Sequence, residues 1–292
     1  MSASVAPTET RTNLKCKKTM GFIHRFFHWL KQSDPARKAA RSHLKAAKRG
    51  DREQYLALAA NYIDLSQTFF GCSFSEPTQL RMARVTQLFN ELWKNLPYAE
   101  RLSDFEFMLA QALIESTPDQ TFTTSQDALV TKLRLLNASS RFAFLAYSFG
   151  NWPHRWIALA MRIKAPALHR LLSEARCELC SIGWESLSLE ERDCLEAIST
   201  KLDTCSTVRA NRSLSKRTSK HPRAMEIKAH WLEQRPELVE VRMRYVLNQE
   251  DREQLLSNIL DAIADESMQR PALVDRMVNT VHFSRHSKIK VS

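Results

Sequence analysis

Nowhere in this chain do apolar and polar residues alternate strictly between turn signals, and that constrains the fold more than any other feature. A half-buried strand shows that period of two. Only five glycines occur in 292 residues, while Ala, Leu, Glu, Gln, Arg and Lys dominate. These are the better helix formers, and β-branched residues are the better strand formers. The expected fold class is all-α: two small helical domains followed by a C-terminal helical segment. Hydrophobic residues make up 43% of the chain, enough to fill buried cores.

The pattern divides the chain as follows. Residues 1–33 hold a polar, basic tail (1–20) and a short aromatic helix, GFIHRFFHWLKQ, over 21–32. Asp34-Pro35 opens a helical pattern reaching about Phe70, because a proline costs nothing in a first helical turn. A turn is expected at Gly71–Pro77, then a helix over 78–95 ended by Pro97, then another over 102–115. Together 34–116 form the first domain, and STPDQTFTTSQ (116–126) reads as a linker. A second helical domain spans 127–182. Residues 183–223 combine an acidic stretch, 184–205, with a basic Ser/Thr-rich linker. In 224–292, helices are expected near 224–233, 236–247, 250–265 and 271–281, with starts marked by Pro236, Asn248 and Pro271.

Charge is unevenly placed. Residues 1–50 carry twelve Lys/Arg against Glu9 and Asp34, so they hold +10 of the net +11. A second basic run covers Arg209, Arg212, Lys216, Arg217, Lys220 and Arg223. Such runs bind phosphate backbones through counterion release, or are simply solvated. No apolar stretch reaches the roughly 18–20 residues that span a bilayer. The first twenty residues lack a secretory apolar core. With six scattered cysteines, the expected setting is a reducing cytoplasm.

The segment 141–179, RFAFLAYSFGNWPHRWIALAMRIKAPALHRLLSEARCEL, reads as three short helices, the last two joined by a tight turn. That is the layout of a helix-turn-helix, whose second helix enters the major groove of DNA. Pro166 falls in the first turn of that helix. Lys164, Ala167, His169 and Arg170 lie at its entry, where base edges are approached. An arginine there is worth about 1–3 kcal/mol of discrimination at a guanine. Ser173 and Arg176 lie further on, where phosphate contacts are expected. Arg155 and Arg162, on the preceding helix and turn, are placed to reach the DNA backbone. Leu168, Leu171, Leu172 and Leu179 are the expected core. The competing reading is a three-helix bundle that docks another protein.

Two stretches carry a family resemblance. In KRGDREQYLALAANY (48–62), Gly50, Asp51, Tyr55, Leu58 and Tyr62 keep the spacing of sigma region 2. FNELWKNL (89–96) resembles the apolar face of that region's next helix, with Phe89, Leu92, Trp93 and Leu96. Arg141, Phe144 and Leu145, then Ile157-Ala158, Met161, Ile163, Leu168, Leu172, Ala175-Arg176 and Leu179, resemble sigma region 4. The chain is therefore similar to the extracytoplasmic-function sigma factors, small bacterial relatives of the primary sigma factor, over about 46–182. The resemblance implies transcription initiation, with promoter DNA and RNA polymerase core as partners and an anti-sigma factor as regulator.

The chain also departs from the family. Ala83 and Thr86 stand where an Asp and a Gln face the polymerase clamp. FMLAQALI (107–114) lacks the Trp, Arg and Asn of the promoter-melting surface. Arg162 replaces the turn glycine, and Trp156 replaces a glutamate. The alternative is a diverged sigma-like interaction or regulatory module that does not melt promoters.

Other constellations are weaker. Cys177 and Cys180 form a C-x-x-C with Cys194 and Cys205 downstream, but CELC continues a helical pattern without a knuckle turn. These cysteines read as small buried residues rather than zinc ligands or a redox pair. His24 and His28 share a helix face without a third ligand. There is no Gly-rich phosphate loop, no nucleophile triad and no informative carboxylate pair. Neither catalysis, a metal nor a cofactor is expected. The acidic 184–205 stretch, adjacent to the basic recognition helix, is a candidate mask for it.

Overall fold

The computed structural model describes residues 35–117, 127–203 and 221–264. The aromatic segment 21–32, nearly all of the 116–126 linker, most of the 206–223 linker and the helix expected near 271–281 lie outside the described residues.

Among the described residues every regular element is helical. In chain order they are α1 (35–47), α2 (Arg52–Ala59), α3 (Ile63–Ser73), α4 (Thr78–Asn95), a 3₁₀ turn (Leu96–Tyr98) and α5 (Leu102–Glu115). Then come α6 (Ala128–Leu135), α7 (Ala138–Ser148), α8 (His154–Ala160) and α9 (Ala165–Leu179). A second 3₁₀ turn (Trp184–Ser186) precedes α10 (Leu189–Asp203), α11 (Pro222–Glu233), α12 (Arg235–Tyr245) and α13 (Gln249–Ala264). The all-α class holds. None of the described helices is long and apolar enough to cross a membrane.

The helical pattern reaching about Phe70 is three helices. Gly50 takes a left-handed φ of 96° after α1. Asp51 then caps α2, its carboxylate accepting from the Gln54 N–H at 3.0 Å. Such a cap is worth about 1 kcal/mol. Tyr55, Leu58 and Tyr62 are buried, as their spacing requires. The turn expected at Gly71 is absent: α3 runs through Gly71 to Ser73, and only Phe74 onward is extended. Helices α4 and α5 keep their expected bounds, with Pro97 inside the 3₁₀ turn that ends α4.

One apolar cluster runs through α1 to α9 and continues into α12 and α13. Its members come from 40–113, 129–179 and 241–263 alike. Tyr62 packs on both Phe105 and Trp152, bridging the first two segments at ring-centroid distances of 5.5 and 5.9 Å. Buried Glu106 on α5 accepts from Arg37 of α1 at 2.6 Å and from the Tyr62 hydroxyl at 3.2 Å. Burial still pushes its carboxyl above the usual range, against the pull of Arg37.

The C-terminal helices fold back onto the beginning of the chain. Leu255, Ile259 and Ile263 of α13 are fully buried, and α13 packs along α4 and α2. Arg252 fixes the register, donating to both Asp64 oxygens at 2.8 and 3.0 Å and to the Ala60 carbonyl at 2.8 Å. A second, smaller cluster joins the end of α9 to α10 and α11 through Cys177, Trp184, Leu195, Ile198, Ile227 and Trp231.

Candidate nucleic-acid interface

Helices α7, α8 and α9 pack on one another as one unit, with a tight turn between α8 and α9. Helix α7 starts on Asn137, whose side chain accepts from the Ser140 N–H at 2.8 Å. Helix α9 opens on Ala165-Pro166, where the missing proline N–H needed no partner. The turn between α8 and α9 closes with the Ile163 N–H donating to the Ala158 carbonyl at 3.0 Å. Such a six-to-one bond needs a left-handed residue before the donor, usually glycine. Arg162 takes that place with φ 51°. The geometry of the absent turn glycine is thus kept by an arginine, at a cost of about 1–2 kcal/mol.

The Arg162 guanidinium lies 3.8 Å from the Phe107 ring centroid, on α5. Arg155, Arg162 and Lys164 are all exposed, and Ala167 is half-buried behind them. One signal at this face escapes a reading by motif: no acidic residue occurs from Ala128 to Ser173. Acids enter the unit's own sequence only at Glu174 and Glu178, late in α9, and several cations of 128–173 are used internally. Among these, Lys132 donates to the Leu179 carbonyl at 2.8 Å, and Arg134 and Arg141 are buried.

Further along α9 the expected surface changes character. The His169 ring packs edge-on against His154 at 4.9 Å, and His154 packs on Tyr147 at 5.0 Å. Arg170 stays partly exposed but its Nε lies 2.7 Å from Glu174 Oε1. That hydrogen bond raises the Arg170 pKa, burial opposes it, and Glu196 and Glu185 add to the rise.

Two expected phosphate contacts are corrected by the packing. Ser173 is fully buried, its hydroxyl donating to the His169 carbonyl at 2.8 Å. Arg176 is 8% exposed. Its guanidinium donates to the Ser199 hydroxyl of α10 and lies 5.4 and 5.6 Å from the Tyr147 and Trp231 rings. Arg176 thus lies on the side of α9 that meets α7, α10 and α11. Leu168, Leu172 and Leu179 are core as expected, and Leu171 is half-buried.

The described part of the acidic stretch packs against α9. Helix α10 packs on α9 and brings Glu196 within electrostatic range of Arg170 and Glu174. Desolvation pushes the Glu196 carboxyl up, with Asp193 and Glu174 adding to the rise and Arg170 opposing it. Because Leu195 and Ile198 of α10 are core residues, removing 184–205 would expose an apolar face of α9 as well as remove charge.

The C-x-x-C pair spans a helix end. Cys177 is the buried last-turn residue, Cys180 is the cap, and Ser181 turns left-handed at φ 59°. Burial raises both thiols, Cys180 to about 11. Cys72 in α3 is pushed up to about 12, again mainly by burial. At pH 8 a thiol of that pKa is ionised in about one molecule in ten thousand. Peptide mapping after iodoacetamide treatment should find Cys72 unmodified in the native protein and fully modified in urea. Native modification at a free-thiol rate would show that α3 opens.

Comparison with protein families, with curated proteins and with solved structures finds no match to this chain.

Proposed function

We propose that this chain is a sigma-like transcription protein that contacts duplex DNA through the α8–α9 turn and the N-terminal end of α9. The observation that carries the proposal is the left-handed Arg162, which builds a helix-turn-helix corner and presents Arg155, Arg162 and Lys164 at its exposed edge. A helix N-terminus with adjacent cations suits phosphate oxygens. The residues that remain for base edges are Ala167, His169 and Arg170. Promoter DNA, RNA polymerase core and an anti-sigma factor enter as partners through the family resemblance.

Arg162→Gly tests this reading without disturbing the fold. Glycine prefers the left-handed conformation, which offsets the lost contact with Phe107, worth about 0.5–1 kcal/mol. The melting temperature is expected to stay within a few degrees. Duplex affinity is expected to fall for every sequence alike, with the salt slope reduced by about 0.9 for one lost phosphate contact. Unchanged affinity and slope in both Arg162→Gly and Arg155→Ser would exclude this face as the DNA surface. Co-purification with core polymerase tests the rest of the reading.

A second reading, a protein-interaction module, is favoured by how the chain covers itself. The middle of α9 lies under α10, and α4, the helix that meets polymerase in the resembled family, carries α13 along its length. Duplex binding absent at low salt, together with a retained protein partner, would select that reading.

A further inference from the structure

A cavity of about 930 Å³ lies between the α7–α8 side of the helix-turn-helix unit and helices α11 and α12. We propose that it binds a small organic anion: a carboxylate or phosphate carried on a flat, apolar body. The proposal stands whether or not α9 touches DNA.

Charge argues for the anion. Arg155, Arg176 and Arg242 all line the cavity, and they come from three different helices. The acid in the lining is Asp64. Its carboxylate is already engaged by Arg252, from outside the lining, at 2.8 and 3.0 Å. These three arginines against one already engaged acid give the lining a net positive charge, with Arg176 buried and Arg155 exposed at its edge. A guanidinium fork matches a carboxylate or phosphate better than any other side chain does.

The walls argue for the flat body. Tyr147, Trp152 and Trp231 line the same space, and Val239 and Met243 of α12 add exposed apolar surface. Aromatic faces with a few placed charges are the make-up of a small-molecule site, and the volume lies within the usual range of about 300–1,000 Å³. Arg176 is also pre-positioned. Held by the Ser199 hydroxyl and by the Tyr147 and Trp231 rings, it needs little ordering when an anion arrives.

The test uses the full chain and two fluorescent probes with the same aromatic body. One is the anionic 8-anilinonaphthalene-1-sulfonate, the other the uncharged N-phenyl-1-naphthylamine. The anionic dye is expected to bind saturably at one site, more tightly than the neutral one. Arg242→Ser, on the half-buried face of α12, should weaken the anionic dye about tenfold and leave the neutral dye unchanged. Arg223→Ser, an exposed arginine outside the lining, controls for net charge and should change neither. Arg155→Ser reads the same site should the α12 variant fail to fold. Salicylate and adenosine monophosphate, competed separately, tell a carboxylate occupant from a phosphate one. The proposal fails if the neutral dye binds as tightly, if neither Arg242→Ser nor Arg155→Ser weakens the anionic dye, or if neither competitor displaces it.

Discussion

Replacing Arg141 by alanine is expected to cost this protein about 3–5 kcal/mol, enough to remove much of the stability of an ordinary domain. Arg141 is fully buried on α7. Its Nε donates to the Leu133 carbonyl at 2.9 Å, and a second nitrogen donates to the Arg134 and Leu136 carbonyls at 2.9 and 2.7 Å. Its third nitrogen donates to the Ser73 hydroxyl of α3 at 2.9 Å. The last carbonyls of a helix have no partner within it. Here one guanidinium serves the end of α6 and ties it to α3 and α7. Alanine would leave buried carbonyls unpaired and a void in the core. Lysine is expected to rescue little, because a point charge cannot reproduce a planar fork. Urea unfolding followed by far-ultraviolet dichroism reads the change, and a loss under about 1 kcal/mol would show that water replaces the guanidinium.

Gly71→Ala sets two effects of opposite sign against each other. By propensity alone, alanine inside a helix gains about 1 kcal/mol over glycine. A Cβ on Gly71, however, would run into Tyr245 Cδ1 and stand 2.6 Å from Cε1 and 2.9 Å from Cγ. These are atoms of a largely buried ring over which Arg81 stacks at 5.2 Å. Neither the ring nor the α3 backbone can yield by the required distance, so α12 must shift away from α3. Overpacking of this kind costs about 1–3 kcal/mol and is expected to outweigh the propensity gain. The variant should melt lower than the wild type, and Tyr245→Ala in the same chain should recover much of the loss. A higher melting temperature in Gly71→Ala would mean that α12 does not sit on α3.

What was legible along the chain shares one property: its cause lies within a few residues. Helix α4 keeps its expected bounds because Pro77 and Pro97 flank an apolar stripe that ends in Phe89, Leu92, Trp93 and Leu96. The corner between α8 and α9 was legible from apolar spacing and Pro166. The break after α1 was written in Gly50-Asp51, a left-handed residue followed by a cap.

The candidate site was legible only in part. Arg155, Arg162 and Lys164 sit at a local corner, where their exposure follows from the turn itself. Ser173 and Arg176 look polar on a helical wheel, yet both are buried, and Arg176 meets Tyr147, Ser199 and Trp231 of three other helices. Local pattern carries no term for such neighbours.

The sequence by itself determined that the described residues are helical, where helices such as α4, α5, α12 and α13 start and stop, and which apolar faces need covering. Those outcomes follow from backbone propensity, caps and periodicity, all short-range. Only the tertiary structure decided what covers them. One core crosses the apparent divisions, α13 lies on α4, α10 lies on α9, and three arginines from separate helices line one cavity. An apolar stripe gains nearly the same free energy against any complementary surface, so its partner is set by the packing of the whole chain and not by the stripe.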